Sequence, residues 1–162
     1  MQSTHYQGKT LAEWTRDLML PKATRRLMAA KVLAEIGAEA TGTLITALQH
    51  KDPAVRYWAA TGLRKAGSLP EEGTTALAAL LNDPSGSVRI RAAEALFRLG
   101  LQTQALSKLA AALKDSNPRV RLYAVETLSR LAPGSPEAFA LIQSASQDED
   151  NYVARAVENA LH

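Results

Sequence analysis

Three histidines, one acidic run and two basic pairs are the residues of this chain whose types could do chemistry. His5, His50 and His162 lie far apart, and none has a carboxylate at ligand spacing. A metal site needs three or four such ligands to converge. Asp148-Glu149-Asp150 places three carboxylates side by side, without the glycine turn and alternating spacing of a calcium loop. It reads as a solvated turn whose negative charge favours the N-terminus of the helix that follows. Arg25-Arg26 and Arg64-Lys65, with Tyr57 and Trp58 nearby, have the residue types of a nucleic-acid surface. The net charge, however, is only +3. Residues 1–70 hold ten Lys/Arg against five Asp/Glu, and residues 71–162 hold nine against eleven, which is far from a polycation. Cysteine is absent, which excludes disulfides and thiolate chemistry. Neither a nucleophile elbow nor a glycine-rich phosphate loop occurs. These residues predict no catalytic centre, no cofactor and no metal.

The elements that would position any site follow from a repeat. Val55-Arg56-x-x-Ala59-x-x-x-Leu63 recurs as Val88-Arg89-x-x-Ala92-x-x-x-Leu96, as Val120-Arg121-x-x-Ala124-x-x-x-Leu128, and as Val153-x-x-x-Val157-x-x-x-Leu161. The valines are 33, 32 and 33 positions apart, and a weaker first copy begins Arg25-Arg26-x-x-Ala29-x-x-x-Leu33. Across the copies the apolar positions fall mainly at offsets 0, +4, +7, +8 and +11, one face of an α-helix. The small residue at +4 allows a neighbouring helix axis to approach to roughly 8 Å. A shorter amphipathic segment precedes each copy: Leu11–Leu20, Ala40–His50, Glu72–Leu81, Gln102–Lys114 and Pro136–Gln147. Thr10-x-x-Glu13 predicts a capping box. Asp52-Pro53, Asn117-Pro118 and Ser135-Pro136 predict an N-cap ahead of a first-turn proline. Gly37, Gly67 and Gly100 predict left-handed stops after second helices. No stretch alternates with period two, so no strand is expected. With 46% apolar but only 5% aromatic residues, the composition suits closely packed helices.

The phrases Asp-Pro-Ala-Val-Arg-Tyr-Trp-Ala-Ala at 52–60, Leu-x-Asp-Pro at 81–84 and Leu-Lys-Asp-x-x-x-x-Val-Arg at 113–121 resemble HEAT repeats of the short type. The resemblance covers about residues 8–162. It implies an all-α, right-handed α-solenoid of five helical hairpins, with repeats at approximately 8–37, 38–67, 70–100, 101–132 and 135–162 in a single domain spanning 1–162. It also implies a ladder of turn aspartates, Asp52, Asp83 and Asp115, with helix arginines, Arg26, Arg56, Arg89 and Arg121. The fifth copy carries Ala154 where the arginine belongs, and the first lacks the turn aspartate, as capping repeats would. Tyr6-x-Gly8-Lys9-x-Leu11-x-x-Trp14 resembles the lead-in of some bacterial HEAT domains. Asp52–Leu63 and Asn151-Tyr152-Val153-x-Arg155 resemble HEAT tails of bacterial sulfatases. Some HEAT-like hydroxylases bind iron through His-Glu pairs, and this sequence has no His-Glu dipeptide. HEAT-like DNA glycosylases use a basic concave face with aromatic residues, a pattern that Arg56, Arg64, Tyr57 and Trp58 match only in part.

In such arrays the second helices line the concave side. Offsets +2, +6 and +9, opposite the core, include Tyr57, Arg64, Ile90, Glu94, Phe97, Leu122 and Glu126, the candidate partner-binding residues. Leu27 joins Tyr57, Ile90 and Leu122 in an apolar +2 stripe of the kind that marks a protein-binding groove. Tight curvature would instead bury that stripe between adjacent helices, and the sequence leaves both placements open. Trp58, Arg91 and Tyr123 share offset +3 nearer the seam between repeats, where Arg91 is expected to stack on Trp58 or Tyr123.

The expected function is a noncatalytic scaffold that binds a protein partner, or its own parent enzyme domain, through this concave face. The alternatives are a detached C-terminal HEAT domain of a larger bacterial, sulfatase-like hydrolase, and a nucleic-acid-binding HEAT-like protein. No apolar run approaches the ~18–20 residues that span a bilayer. The compartment is open: cytoplasmic if the chain is full length, exported if it is cut from a secreted hydrolase.

Overall fold

Side chains that serve a backbone N–H group stand at half of the helix starts, and glycines at several of the stops. Asp52 accepts from the Ala54 N–H, Asn117 from Arg119 and Ser135 from Ala138, each with proline at the first helical position. Thr10 and Glu13 form the reciprocal capping box. Gly37, Gly67 and Gly100 adopt φ of 71°, 70° and 90°, where a Cβ would be strained. Bounded by these signals, the computed structural model, which describes residues 4–162, contains ten α-helices among those residues. They are α1 (Leu11–Asp17), α2 (Ala23–Ile36), α3 (Thr41–Ala47), α4 (Pro53–Leu63), α5 (Glu71–Ala79), α6 (Gly86–Arg98), α7 (Gln102–Ala112), α8 (Pro118–Leu131), α9 (Pro136–Ser144) and α10 (Asn151–Leu161).

The odd-numbered helices are the first arms of five hairpins and the even-numbered ones the second arms. Each second helix packs on the next, α2 on α4, α4 on α6, α6 on α8 and α8 on α10. The first helices lie on the other side, with α7 wedged against α6 and α8, and α9 against α8 and α10. The protein is thus an all-α solenoid. Its core is the repeated face: Leu33, Leu63, Leu96 and Leu128 are fully buried, as are Val55 and Val88 and the small residues Ala29, Ala59, Ala92 and Ala124.

One expectation is corrected at the N-terminus, where strands do occur. His5–Tyr6 (β1) pairs antiparallel with Lys9–Thr10 (β2), His5 opposite Thr10 and Tyr6 opposite Lys9. Gln7 and Gly8, at φ 50° and 82°, make the two-residue turn that matches strand twist. Two residues a side are too few to show alternation in the sequence. This hairpin packs against α1. The Tyr6 carbonyl accepts from the Trp14 indole N–H at 2.7 Å, and Lys9 Nζ lies 4.6 Å from the centroid of the Trp14 ring.

Close approach of second helices depends on missing side chains. At Gly62 in α4 a Cβ would sit 2.8 Å from the Cα of Ala34 in α2 and 2.7 Å from a Leu44 methyl. Gly62→Ala gains up to about 1 kcal/mol of helix propensity but must push α2 and α4 apart, a net loss expected at about 1–3 kcal/mol. Urea unfolding measures it; a variant as stable as wild type would show that the two helices part without cost.

Candidate interaction surface on the second helices

Two polar networks run along the second helices, and they do different things. The first lies at the turns. Arg26 donates to Asp52 at 3.1 Å, Arg56 to Asp83 through two nitrogens at 2.7 and 2.9 Å, Arg89 to Asp115 at 2.7 Å, and Arg121 to Asp148 through two nitrogens at 2.7 and 3.0 Å. Each rung joins an arginine of one repeat to the turn aspartate of the next. The same arginines also donate backwards to the carbonyls of their own turns: Leu20 and Pro21, His50 and Lys51, Asp83 and Pro84, Asp115 and Ser116. The aspartates in turn accept from the backbone two residues on, at Ala54, Ser85, Asn117 and Asp150.

Asp148 is a correction. The acidic run is a solvated turn only at Glu149, which is exposed, and Asp150 caps α10 through the Tyr152 and Val153 N–H groups. Asp148 is the fourth rung, its side chain only 8% exposed. The spacing carried the signal: Asp83, Asp115 and Asp148 are separated by the same period as the valines.

The second network lies further along the helices, in the middle of the array. Tyr57 of α4 and Tyr123 of α8 share a hydrogen bond between hydroxyls at 3.1 Å, although α6 stands between their helices. The guanidinium of Arg91, from α6, lies 4.9 Å from the Tyr57 ring centroid and 5.4 Å from that of Tyr123, and donates to the Tyr57 hydroxyl at 2.6 Å. Arg91 also donates to Glu94. Arg64, the C-cap of α4, reaches the same carboxylate at 3.1 Å and Arg130 of α8 comes within 3.6 Å. Glu94, 0% exposed, is therefore the hub of three arginines from three successive repeats. Burial raises the pKa of Tyr123 far above the usual phenol value, and its hydrogen bond to Tyr57 adds to this.

Contact between side chains two repeats apart means that the array curves tightly here, which decides the fate of the sequence-derived candidates. Ile90, Glu94 and Phe97, expected on an open groove, are buried at 1%, 0% and 8% exposure, because α4 and α8 close over α6. Tyr57, Arg64 and Leu122 are half-buried and Glu126 is exposed. Leu27, at the less enclosed end, is exposed. Arg91 stacks on Tyr123, as one of its two expected partners, but takes Tyr57 in place of Trp58. Trp58 instead meets Tyr57 edge-on at 5.4 Å, with Lys31 Nζ 5.3 Å from the centroid of the indole ring. Tyr123, Arg91, Trp58 and Arg130 are the members of this cluster that the helical offsets left at the seam or passed over. Their offsets, +3 and +10, turn inward only because the array curves.

Two concavities flank the cluster. A cleft of about 500 Å³ is walled by Tyr57, Trp58 and Tyr123 with Pro53, Ser85 and Ser87. Another of about 370 Å³ lies between α8 and α10, along Glu126, Ser129, Arg130 and Asn159. Among the described residues no group of three His, Cys, Asp or Glu converges as a metal site would, and no helix is long and apolar enough to cross a membrane. His50 accepts from the Asp52 N–H at 3.0 Å and so serves its own turn.

The repeat geometry has counterparts among known proteins. The HEAT-repeat family profile matches residues 20–96 and 73–162, nearly the whole array. The chain belongs to the HEAT-repeat family. Among solved structures, this HEAT protein is similar to the complex of CpcE and CpcF of phycocyanin lyase from Nostoc sp. PCC7120, with a TM-score of 0.72 and 17% identity over 94% of this chain and 98% of that one. It is also similar to an engineered protein at TM-score 0.56 and 22% identity, covering 93% of this chain and 77% of that one. A designed armadillo repeat protein in complex with the peptide (KR)4 matches at TM-score 0.55 and 19% identity, over 94% and 82% of the two chains. At these identities the likeness is one of fold. No curated protein matches significantly in sequence.

The two networks make separate predictions. Burial alone would raise the Asp83 carboxyl, but hydrogen bonds from Arg56 and the Ser85 N–H outweigh it and hold its pKa below the ordinary Asp value. At Asp148 the hydrogen bonds of Arg121 are the main cause of the same depression. Groups depressed in the folded state stabilise it above their unfolded pKa and lose that contribution as pH falls through the folded one. The melting temperature is therefore expected to drop as pH goes below about 4, and Asp83→Asn should flatten that dependence. Glu94→Ala leaves Arg64, Arg91 and Arg130 crowded without their counter-charge. A loss of about 3–5 kcal/mol is expected by chemical denaturation, and a loss under about 1 kcal/mol would mean that the hub holds nothing together.

Proposed function

We propose that this HEAT protein is a noncatalytic scaffold that holds a protein partner on the concave side of its second helices, around Tyr57, Trp58, Arg64, Tyr123, Glu126 and Arg130. The observation that carries the reading is the cluster in the central repeats. It joins aromatic walls, partly exposed arginines and two adjoining clefts on a rigid, buried hub. Aromatic residues and arginine are the side chains that most often anchor protein interfaces, since they combine large contact area with directional hydrogen bonds. Ile90, Glu94 and Phe97 support the surface from beneath and do not themselves meet a partner.

The same geometry argues against acid–base chemistry at this spot. A general base needs a free lone pair and a pKa near the working pH. Glu94 has both oxygens engaged by arginines, and the Tyr57 and Tyr123 hydroxyls are bonded to each other. The neighbours lend support of their own kind. The designed armadillo protein is in complex with a peptide, and CpcE and CpcF form a complex with each other.

Lysine positions allow a direct test. Lys31 and Lys65 lie on or beside the second-helix face, whereas Lys108 and Lys114 belong to the α7 side. After amine cross-linking in extracts of the native cells, mass spectrometry is expected to find partner peptides joined to Lys31 and Lys65. Cross-links confined to Lys108 and Lys114 would move the interface to the first helices and end this assignment.

A further inference from the structure

We infer that the partner segment received by this face is acidic, an extended stretch whose carboxylates meet Arg64, Arg130 and Lys31 while a neighbouring apolar side chain enters the cleft of Tyr57, Trp58 and Tyr123. The inference rests on the scaffold reading and adds the chemistry of the partner. The contacts that define the face join four cations, Lys31, Arg64, Arg91 and Arg130; Glu94 lies among them, and Glu126 and Glu35 lie one helical turn from Arg130 and Lys31. Glu94 is sealed from solvent between Arg64, Arg91 and Arg130, and its single charge leaves that trio in excess. The side chains of Arg64 and Arg130 remain 24% and 41% exposed, and Lys31 is exposed as well.

Arg64 also keeps a donor for a ligand: its Nη1 goes to Glu94 and its Nε is buried out of reach, which leaves Nη2. A guanidinium held by one edge to a fixed carboxylate is pre-oriented and offers its remaining donors at little further entropic cost. The surface therefore has an electrostatic bias toward anions and a sequence-tolerant aromatic wall.

A peptide fits these features better than a nucleic acid. Phosphodiester binding draws its strength from many cation–phosphate contacts spread along a strand. Here there are only four cations, one from each of the first four repeats, and Glu126 sits beside the last of them, Arg130, in the α8–α10 cleft. A strand continuing along the array would run onto that carboxylate. A short acidic segment need not.

The test uses the whole chain and three fluorescein-labelled probes: a peptide of alternating Asp and Glu with one central Phe, its Lys and Arg counterpart, and a single-stranded oligonucleotide. At about 0.05 M salt the acidic peptide should bind saturably and change Trp58 fluorescence, and binding should weaken severalfold toward about 0.2 M salt. Arg64→Ala/Arg130→Ala, in which Arg91 still neutralises Glu94, should weaken it by about tenfold or more. Lys114→Ala should leave it unchanged. The salt dependence of the wild-type protein keeps the inference testable even if the double variant folds poorly. Absence of binding by the acidic peptide at low salt overturns the inference. So does tighter binding of the basic peptide or the oligonucleotide, or an equal loss in Lys114→Ala. Capture of the basic peptide on the same face would overturn the charge assignment alone, because the cross-linking pattern to Lys31 and Lys65 tests the scaffold reading independently.

Discussion

Each repeat of this solenoid is tied to the next by one arginine that works in two directions. The guanidinium donates back to the carbonyls of its own turn and forward to the aspartate of the following turn. That aspartate in turn organises the backbone N–H groups two residues on. A helical hairpin cannot bury its apolar face alone, so the angle between neighbours decides how much of that face is covered. By fixing turn against turn, the rungs set that angle four times in succession. The loops gain their order from the same contact, since carbonyls and amides that would otherwise need water find partners within the protein. Among the described residues four such rungs join five repeats, the fifth repeat carries Ala154 at the arginine position, and a small β-hairpin packs beside α1 ahead of the first rung.

Constancy of that angle has a consequence in the middle of the array. Repetition of a tight turn brings Tyr57 and Tyr123, two repeats apart, into contact over α6. The space left between them is filled by Arg91, and the charge of Arg91 is answered by Glu94. A buried ion cluster of this kind is seldom a source of net stability, because desolvation offsets much of the attraction. Its contribution is geometric. Three helices from three repeats are referenced to a single carboxylate, so the aromatic walls and the outer arginines are held in fixed relation. Rigid placement of this sort lowers the entropic cost of binding a flexible segment.

Small residues complete the arrangement. Gly62 lets α4 rest directly on the backbone of α2, and the +4 alanines of the first four repeats, Ala29, Ala59, Ala92 and Ala124, are fully buried. The composition, rich in alanine and poor in aromatics, is what permits the close spacing. The few aromatic side chains are then free to gather elsewhere. Tyr6 and Trp14 close the N-terminal end, and Tyr57, Trp58 and Tyr123 line the concave side.

The sequence by itself determined the repeat, the helices, their caps and the faces they bury. All of these are set by spacing within one chain segment, and 3.6-residue periodicity carries that information locally. It also held the ladder residues in register, including Asp148, whose period-matched position marked it although its acidic neighbours suggested a plain solvated turn. What it did not contain was curvature. Whether Ile90, Glu94 and Phe97 face solvent or lie under their neighbours depends on the angle between successive hairpins, which is the sum of many contacts between segments. A small rotation per repeat accumulates along the array. Only the packed solenoid decides that an expected groove closes into a hub, while Trp58 and Tyr123 at the +3 seam positions and Arg130 at the unread +10 offset line its surface.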